Sequence, residues 1–119
     1  MMKAKAEFKY VRICPRKLAR VVDTVRGLPA EQAINLLKFM PQKGARVLEK
    51  AVKSAVANAV TNHKLAKEQL VLVEAYVNKG IVLKRWKAKS RGRVGPILKR
   101  TSHLTVLVGP ALWQNKEEA

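Results

Sequence analysis

The sequence has 119 residues, 48% of them apolar, and carries 25 lysines and arginines against 8 aspartates and glutamates, a net charge of +17. That length suits one domain able to bury roughly two-thirds of its unfolded surface, and the apolar fraction excludes a merely disordered basic tail. So much charge on one compact body would erode the small net stability of a domain through self-repulsion, so the surplus is expected to rest on a polyanionic partner.

In chain order, a first strand is expected from Ala6 to Ile13, with Phe8, Tyr10 and Arg12 opposite Lys9, Val11 and Ile13. Cys14-Pro15 then marks a helix start, because proline is preorganised for the first helical position and has no amide to leave orphaned. Leu18, Val21, Val22 and Val25 recur at helical spacing, and Gly27 can take the left-handed conformation that ends a helix. Pro29 opens a second helix with Ala33, Ile34 and Leu37 inward, and Pro41 sets its end. A third runs from Lys43 to about Asn62, with Val47, Leu48, Ala51, Val52, Ala55, Val56 and Ala59 in one stripe. Its alanines favour helix and allow close approach of the first helix or a sheet face. His63 and Lys64 lie near its C-terminus, where the helix dipole favours positive charge.

From Gln69 the period changes to two, with Val71, Val73, Ala75 and Val77 on one face and Leu70, Leu72, Glu74 and Tyr76 on the other. A matching run covers Thr101 to Val108 and ends at Gly109-Pro110. The residues between show no helix signal and contain Gly80, Gly92 and Gly95, so the two strands are read as an antiparallel hairpin turning near Ser90. Its arms would each reach roughly 50–60 Å at ~3.3 Å per residue, beyond the radius of gyration of ~13 Å usual for a domain of this size. The hairpin is therefore expected to project. No acidic residue occurs from Ala75 to Gln114, while lysines and arginines recur from Lys79 to Arg100. The tail after Pro110 ends in Glu117-Glu118 and is expected to fray.

Nucleic acid fits this charge better than a membrane surface, because the basic segment has turn residues where a membrane helix would need a wide apolar face. Lys84, Arg85, Lys87, Lys89, Arg91 and Arg93 are candidate phosphate contacts, as point charges or planar forks. Alternation puts 85, 87, 89, 91 and 93 on one side of an extended arm until the turn intervenes. Trp86 either stacks on an unpaired base or packs across the hairpin against Ile97 or Leu98. Arg12, Arg16, Lys17 and Arg20 form a second basic group around the start of the first helix, where free amides and the dipole attract phosphate.

Catalysis finds little support. The carboxylates are scattered, and Ser102 and His103, as neighbours in a strand, would point to opposite faces. A single cysteine and two distant histidines make no metal cluster, and the glycine spacing is no phosphate loop, so no cofactor is expected. Cys14 is read as a small buried or cap-position residue; Asn58 and Asn62 either bond local backbone or touch a polar partner. The lone cysteine, the absence of an apolar N-terminal core and the lack of a long apolar run point to an intracellular protein.

The run Ile97-Leu98-Lys99-Arg100-Thr101-Ser102-His103-Leu104-Thr105-Val106 resembles the signature of the L-twenty-two family of large-subunit ribosomal proteins. Ser54-Ala55-Val56-Ala57-Asn58-Ala59 with Asn62, Pro15-Arg16-Lys17 and Val25-Arg26-Gly27 are similar to that family too, in order, over about residues 6 to 108. The resemblance implies an α+β fold, with three helices packed on a small three-stranded antiparallel sheet and a long projecting β-hairpin. It implies a single domain, 1–119, whose segment 79–100 is the extended hairpin. It further implies a non-enzymatic, cytoplasmic ribosomal constituent, with an organellar ribosome as the variant. Such a protein binds 23S ribosomal RNA, neighbours other large-subunit proteins, supports assembly and lines the polypeptide exit tunnel beside the nascent chain. Lys99, Arg100, Ser102 and His103 join the RNA-binding set on this basis. The tunnel segment becomes Leu83, Lys84, Arg85, Trp86, Lys87, Ala88, Lys89, Ser90, Arg91, Gly92 and Arg93. Leu83-Lys84-Arg85 matches the place where changes in the family alter macrolide response. The tip departs from the family pattern: Ala88 stands where proline is frequent, Val94-Gly95-Pro96 replaces a more polar stretch, and Trp86 replaces a smaller aliphatic residue. A nucleic-acid-binding protein outside the ribosome is the alternative.

Overall fold

In the computed structural model, which describes residues 3–110, the periodic segments become three strands and three helices. They are β1 (Ala4–Val11), α1 (Pro15–Val25), α2 (Ala30–Phe39), α3 (Lys43–Asn62), β2 (Leu70–Ala88) and β3 (Val94–Pro110). The sheet is antiparallel in the order β1-β3-β2, so the α+β architecture is the expected one. The C-terminal tail lies outside the described residues.

One face of the sheet carries the core. Leu104, Val106 and Val108 of β3 alternate inward, with Ala4 and Ala6 of β1 directly opposite Val108 and Val106. The α3 stripe of Leu48, Ala51, Val52, Ala55 and Ala59 is fully buried, while Val47 is only half-buried at its edge. Small side chains on both sides let α3 lie close over β1 and β3, with α1 and α2 beside it. Asn58 settles its two readings in an unforeseen way: its side-chain amide donates to the Lys5 carbonyl at 3.1 Å, stitching α3 to β1.

Three bulges interrupt the alternation, and the first two correct the sequence reading. In β1, Lys9 and Tyr10 stand against His103 alone, between the pairs Phe8–Leu104 and Val11–Ser102. Tyr10 takes φ 58°, so the strand ends at Val11 rather than Ile13 and the expected face of Phe8, Tyr10 and Arg12 is broken. In β2, Val73 is an extra residue between the pairs Leu72–Val108 and Glu74–Leu107. The inward face is therefore Leu70 and Leu72 before it and Ala75 after it, not the unbroken odd series. The third bulge sets Gly80 and Ile81 against Thr101, where the sheet leaves the body.

Beyond that bulge β2 and β3 stay paired to Ala88–Val94, which draws the molecule out to 61 × 29 × 25 Å with a radius of gyration of 17.3 Å. The turn comes at Ser90, as expected: the Lys89 amide donates to the Arg93 carbonyl, and Arg91 and Gly92 adopt left-handed φ of 62° and 73°. The outer edge of β2 is covered near its start. The Gly27 amide donates to the Leu72 carbonyl, the Leu72 amide donates to the Leu28 carbonyl, and the Arg26 guanidinium donates twice to the Ala75 carbonyl at 3.0 and 2.8 Å. None of the described helices is long and apolar enough to cross a membrane.

Candidate nucleic-acid interface

The interface begins at the corner between β1 and α1. Inward packing of Leu18, Val21, Val22 and Val25 turns Arg16, Lys17 and Arg20 outward, and the β1 bulge leaves Arg12 exposed beside them. Cys14 occupies the N-cap of α1 and Pro15 its first turn. The amides of Arg16 and Lys17 hold the Cys14 thiol below its ordinary pKa, with smaller help from the charges of Arg100 and Lys17, though no side-chain capping hydrogen bond of good geometry forms. The helix start therefore already favours negative charge.

Ser102 lies beneath this corner. It is fully buried, and its hydroxyl donates to the Ile13 carbonyl at 2.5 Å, pinning the corner from below. In this arrangement the hydroxyl is engaged by the backbone, not presented at the surface. His103 faces the other way, half-buried, its Nδ1 accepting the Tyr10 amide at 3.1 Å while the two rings meet edge-on at 5.0 Å. The two neighbours point apart, as strand geometry requires.

Along the hairpin, the register places Leu83, Arg85, Lys87, Gly95, Ile97 and Lys99 on one face. The other carries Lys84, Trp86, Ala88, Val94, Pro96, Leu98 and Arg100. Lys89 continues the row of Arg85 and Lys87, because its side chain lies over Gly95: a Cβ there would stand 2.5 Å from Lys89 Cε. Arg91 and Arg93 belong to the tip. Trp86 lies opposite Pro96, shares its face with Leu98 but not Ile97, and is 70% exposed.

Three adjoining clefts converge on Cys14. The first lies between the β1–α1 corner and the start of α3, with Arg12, Lys17, Arg20 and Lys43 around it. The second brings Arg12, Lys17 and Lys43 together with Lys99 and Arg100. The third joins Arg16 to Lys79 and Arg100. The two basic groups that are separate in sequence are thus continuous, joined where the hairpin leaves the body. Lys43 and Lys79 complete this surface and were not singled out by sequence; neither stands in a dense basic run, and only folding brings them beside Arg12, Lys17 and Arg100. Among the described residues, carboxylates pair with Lys3, Lys5, Arg26 and Lys53, and with none of the cations of this surface. No group of His, Cys, Asp and Glu able to hold a metal ion is found among them.

Fold and site together define a basic α+β protein whose surplus charge is drawn out along a hairpin, a build suited to lying against a polyanion. More particularly, the chain belongs to the family described as ribosomal protein L22p/L17e, whose family model matches residues 6–109. A Finegoldia magna protein named large ribosomal subunit protein uL22 is 49% identical over 107 residues, 90% of this chain and 96% of its own. Proteins of the same name from Thermus thermophilus and Caldicellulosiruptor saccharolyticus are 47% and 46% identical, covering 91% and 89% of this chain and 96% and 87% of their own lengths.

Proposed function

We propose that this chain is a non-catalytic structural constituent of the large subunit of a cytoplasmic ribosome. In this reading it binds 23S ribosomal RNA, supports subunit assembly beside other large-subunit proteins, and lines the polypeptide exit tunnel with its hairpin. The observation that carries it is the surface of cations that, among the described residues, have no carboxylate partner, running from α1 to the hairpin tip. Arg12, Arg16, Lys17, Arg20, Lys99 and Arg100 hold phosphates around the body, where the free amides of α1 add to the field. Lys84, Arg85, Lys87, Lys89, Arg91 and Arg93 do so along the hairpin. His103, whose Nδ1 accepts the Tyr10 amide, contributes through its Nε2–H. The whole chain, 1–119, acts as one domain, and segment 79–100 is the part that enters RNA, with Leu83 to Arg93 facing the tunnel and the nascent polypeptide.

Binding of a 23S ribosomal RNA transcript across a salt series tests this. Neutralising on the order of eight phosphates gives a logarithmic slope of about −6 to −7, and structured ribosomal RNA should outcompete duplex DNA. A flat salt dependence, or a preference for the duplex, would sink the reading.

A further inference from the structure

The first of the three clefts sets the apolar side chains of Ile13, Val21 and Met40 among the cations of the basic surface. Its volume is about 650 Å³, inside the roughly 300–1,000 Å³ range of small-ligand sites. Ile13, Val21 and Met40 form its walls, and the cations Arg12, Lys17, Arg20 and Lys43 stand around them. Thr24 and Gln42 supply the neutral polar groups. Gln42 holds the N-cap position of α3 without a capping bond from its side chain, so its amide is available to a ligand. Among the described residues, the lining includes no carboxylate.

An apolar slot ringed by cations matches a flat, uncharged ring flanked by anions. A phosphate alone would leave the walls unused, and a duplex keeps its bases stacked inside and is too broad to enter. We propose that this cleft takes a single unpaired nucleotide of RNA, its base against the half-buried Ile13 and Met40, over the buried Val21, and its flanking phosphates on Arg12, Lys17, Arg20 and Lys43. The amide of Gln42 and the hydroxyl oxygen of Thr24 meet the hydrogen-bonding edge of the base. The proposal rests on RNA being the partner of this surface, and it adds base recognition on the body to phosphate binding.

Two measurements on the full chain with a 23S ribosomal RNA transcript test it. First, transcript carrying 4-thiouridine is photocrosslinked to the unaltered protein; crosslinked peptides from residues 11–24 and 40–44 are expected. Second, Thr24→Trp fills the cleft from an exposed position on α1. It should weaken binding roughly ten-fold, the scale of losing one base contact, and leave the salt slope unchanged. Lys43→Ala should instead lower the slope by about one. Crosslinks confined to residues 79–100, or undiminished binding by Thr24→Trp with an intact thermal transition, would overturn the cleft proposal while RNA binding stands. A flat salt dependence of the unaltered protein would overturn both.

Discussion

Cys14 stands where serine or threonine would cap a helix, and the helix amides act on its sulfur. Donors and nearby cations favour the thiolate, so its pKa is lowered and the thiol ionises at lower pH than in an unfolded chain. The rate of iodoacetamide alkylation should therefore rise at a lower pH in the native protein than in denaturant, and bound RNA should slow it. An unchanged midpoint would mean that the amides do not reach the sulfur. Ser102 illustrates the converse, a polar residue whose role is internal. Ser102→Ala leaves the Ile13 carbonyl without its donor and should lower stability by about 1–3 kcal/mol, read from denaturant unfolding. Its effect on the salt slope of RNA binding should be nil, since no phosphate contact is lost.

At the scale of elements, the bulges determine where the strands bend and which faces they present. Gly80 lies at the root of the hairpin, where a Cβ would stand 2.5 Å from Thr101 Oγ1 and 3.2 Å from its carbonyl carbon. The Thr101 hydroxyl donates to the Ile81 carbonyl at 2.6 Å across the same bulge. Gly80→Ala must push this backbone apart and should cost about 1–3 kcal/mol, the range for overpacking. The expected sign in amide exchange is lost protection around 80–82 and 100–101, with α3 unaffected. The hairpin beyond contributes little to the core, because residues 84–94 are exposed throughout. Replacing Lys84, Arg85, Lys87 and Lys89 together by alanine should leave the thermal transition near that of the parent protein while impairing incorporation into large subunits. Unfolding like a core variant would contradict this division. Leu48→Ala supplies the comparison: fully buried in α3, it should cost about 2–5 kcal/mol.

For the whole molecule, the charge of +17 makes salt act in opposite directions on folding and on binding. Screening relieves self-repulsion among cations, so the melting temperature of the free protein should rise from low to moderate salt. RNA affinity should fall over the same range as released counterions lose their entropic advantage. A melting temperature that fell with salt would mean that internal ion pairs outweigh repulsion. The pairs among the described residues are largely surface contacts, Arg26–Asp23 and Lys53–Glu49 among them, and such pairs are usually worth at most about 1 kcal/mol each.

The sequence by itself determined the helices, because proline, glycine and apolar spacing act locally. α3 spans Lys43–Asn62, the extent expected from its stripe and flanking residues, and Gly27 takes the expected left-handed φ, 85°, after α1. It also determined the hairpin, its turn and the sign of its charge, which depend on strand alternation and composition alone. Strand phase was not legible in the same way: a bulge such as Val73 is set by how β2 fits β3 and the helices above, and inserts one residue without a local signal. Burial of Ser102 was hidden for the same reason, since its partner Ile13 is far away in sequence. Only the tertiary structure decided that the cations of α1, α3 and the hairpin root form one surface with an apolar cleft in it. Charge is carried by single residues, whereas the shape that gathers it depends on contacts between distant parts of the chain.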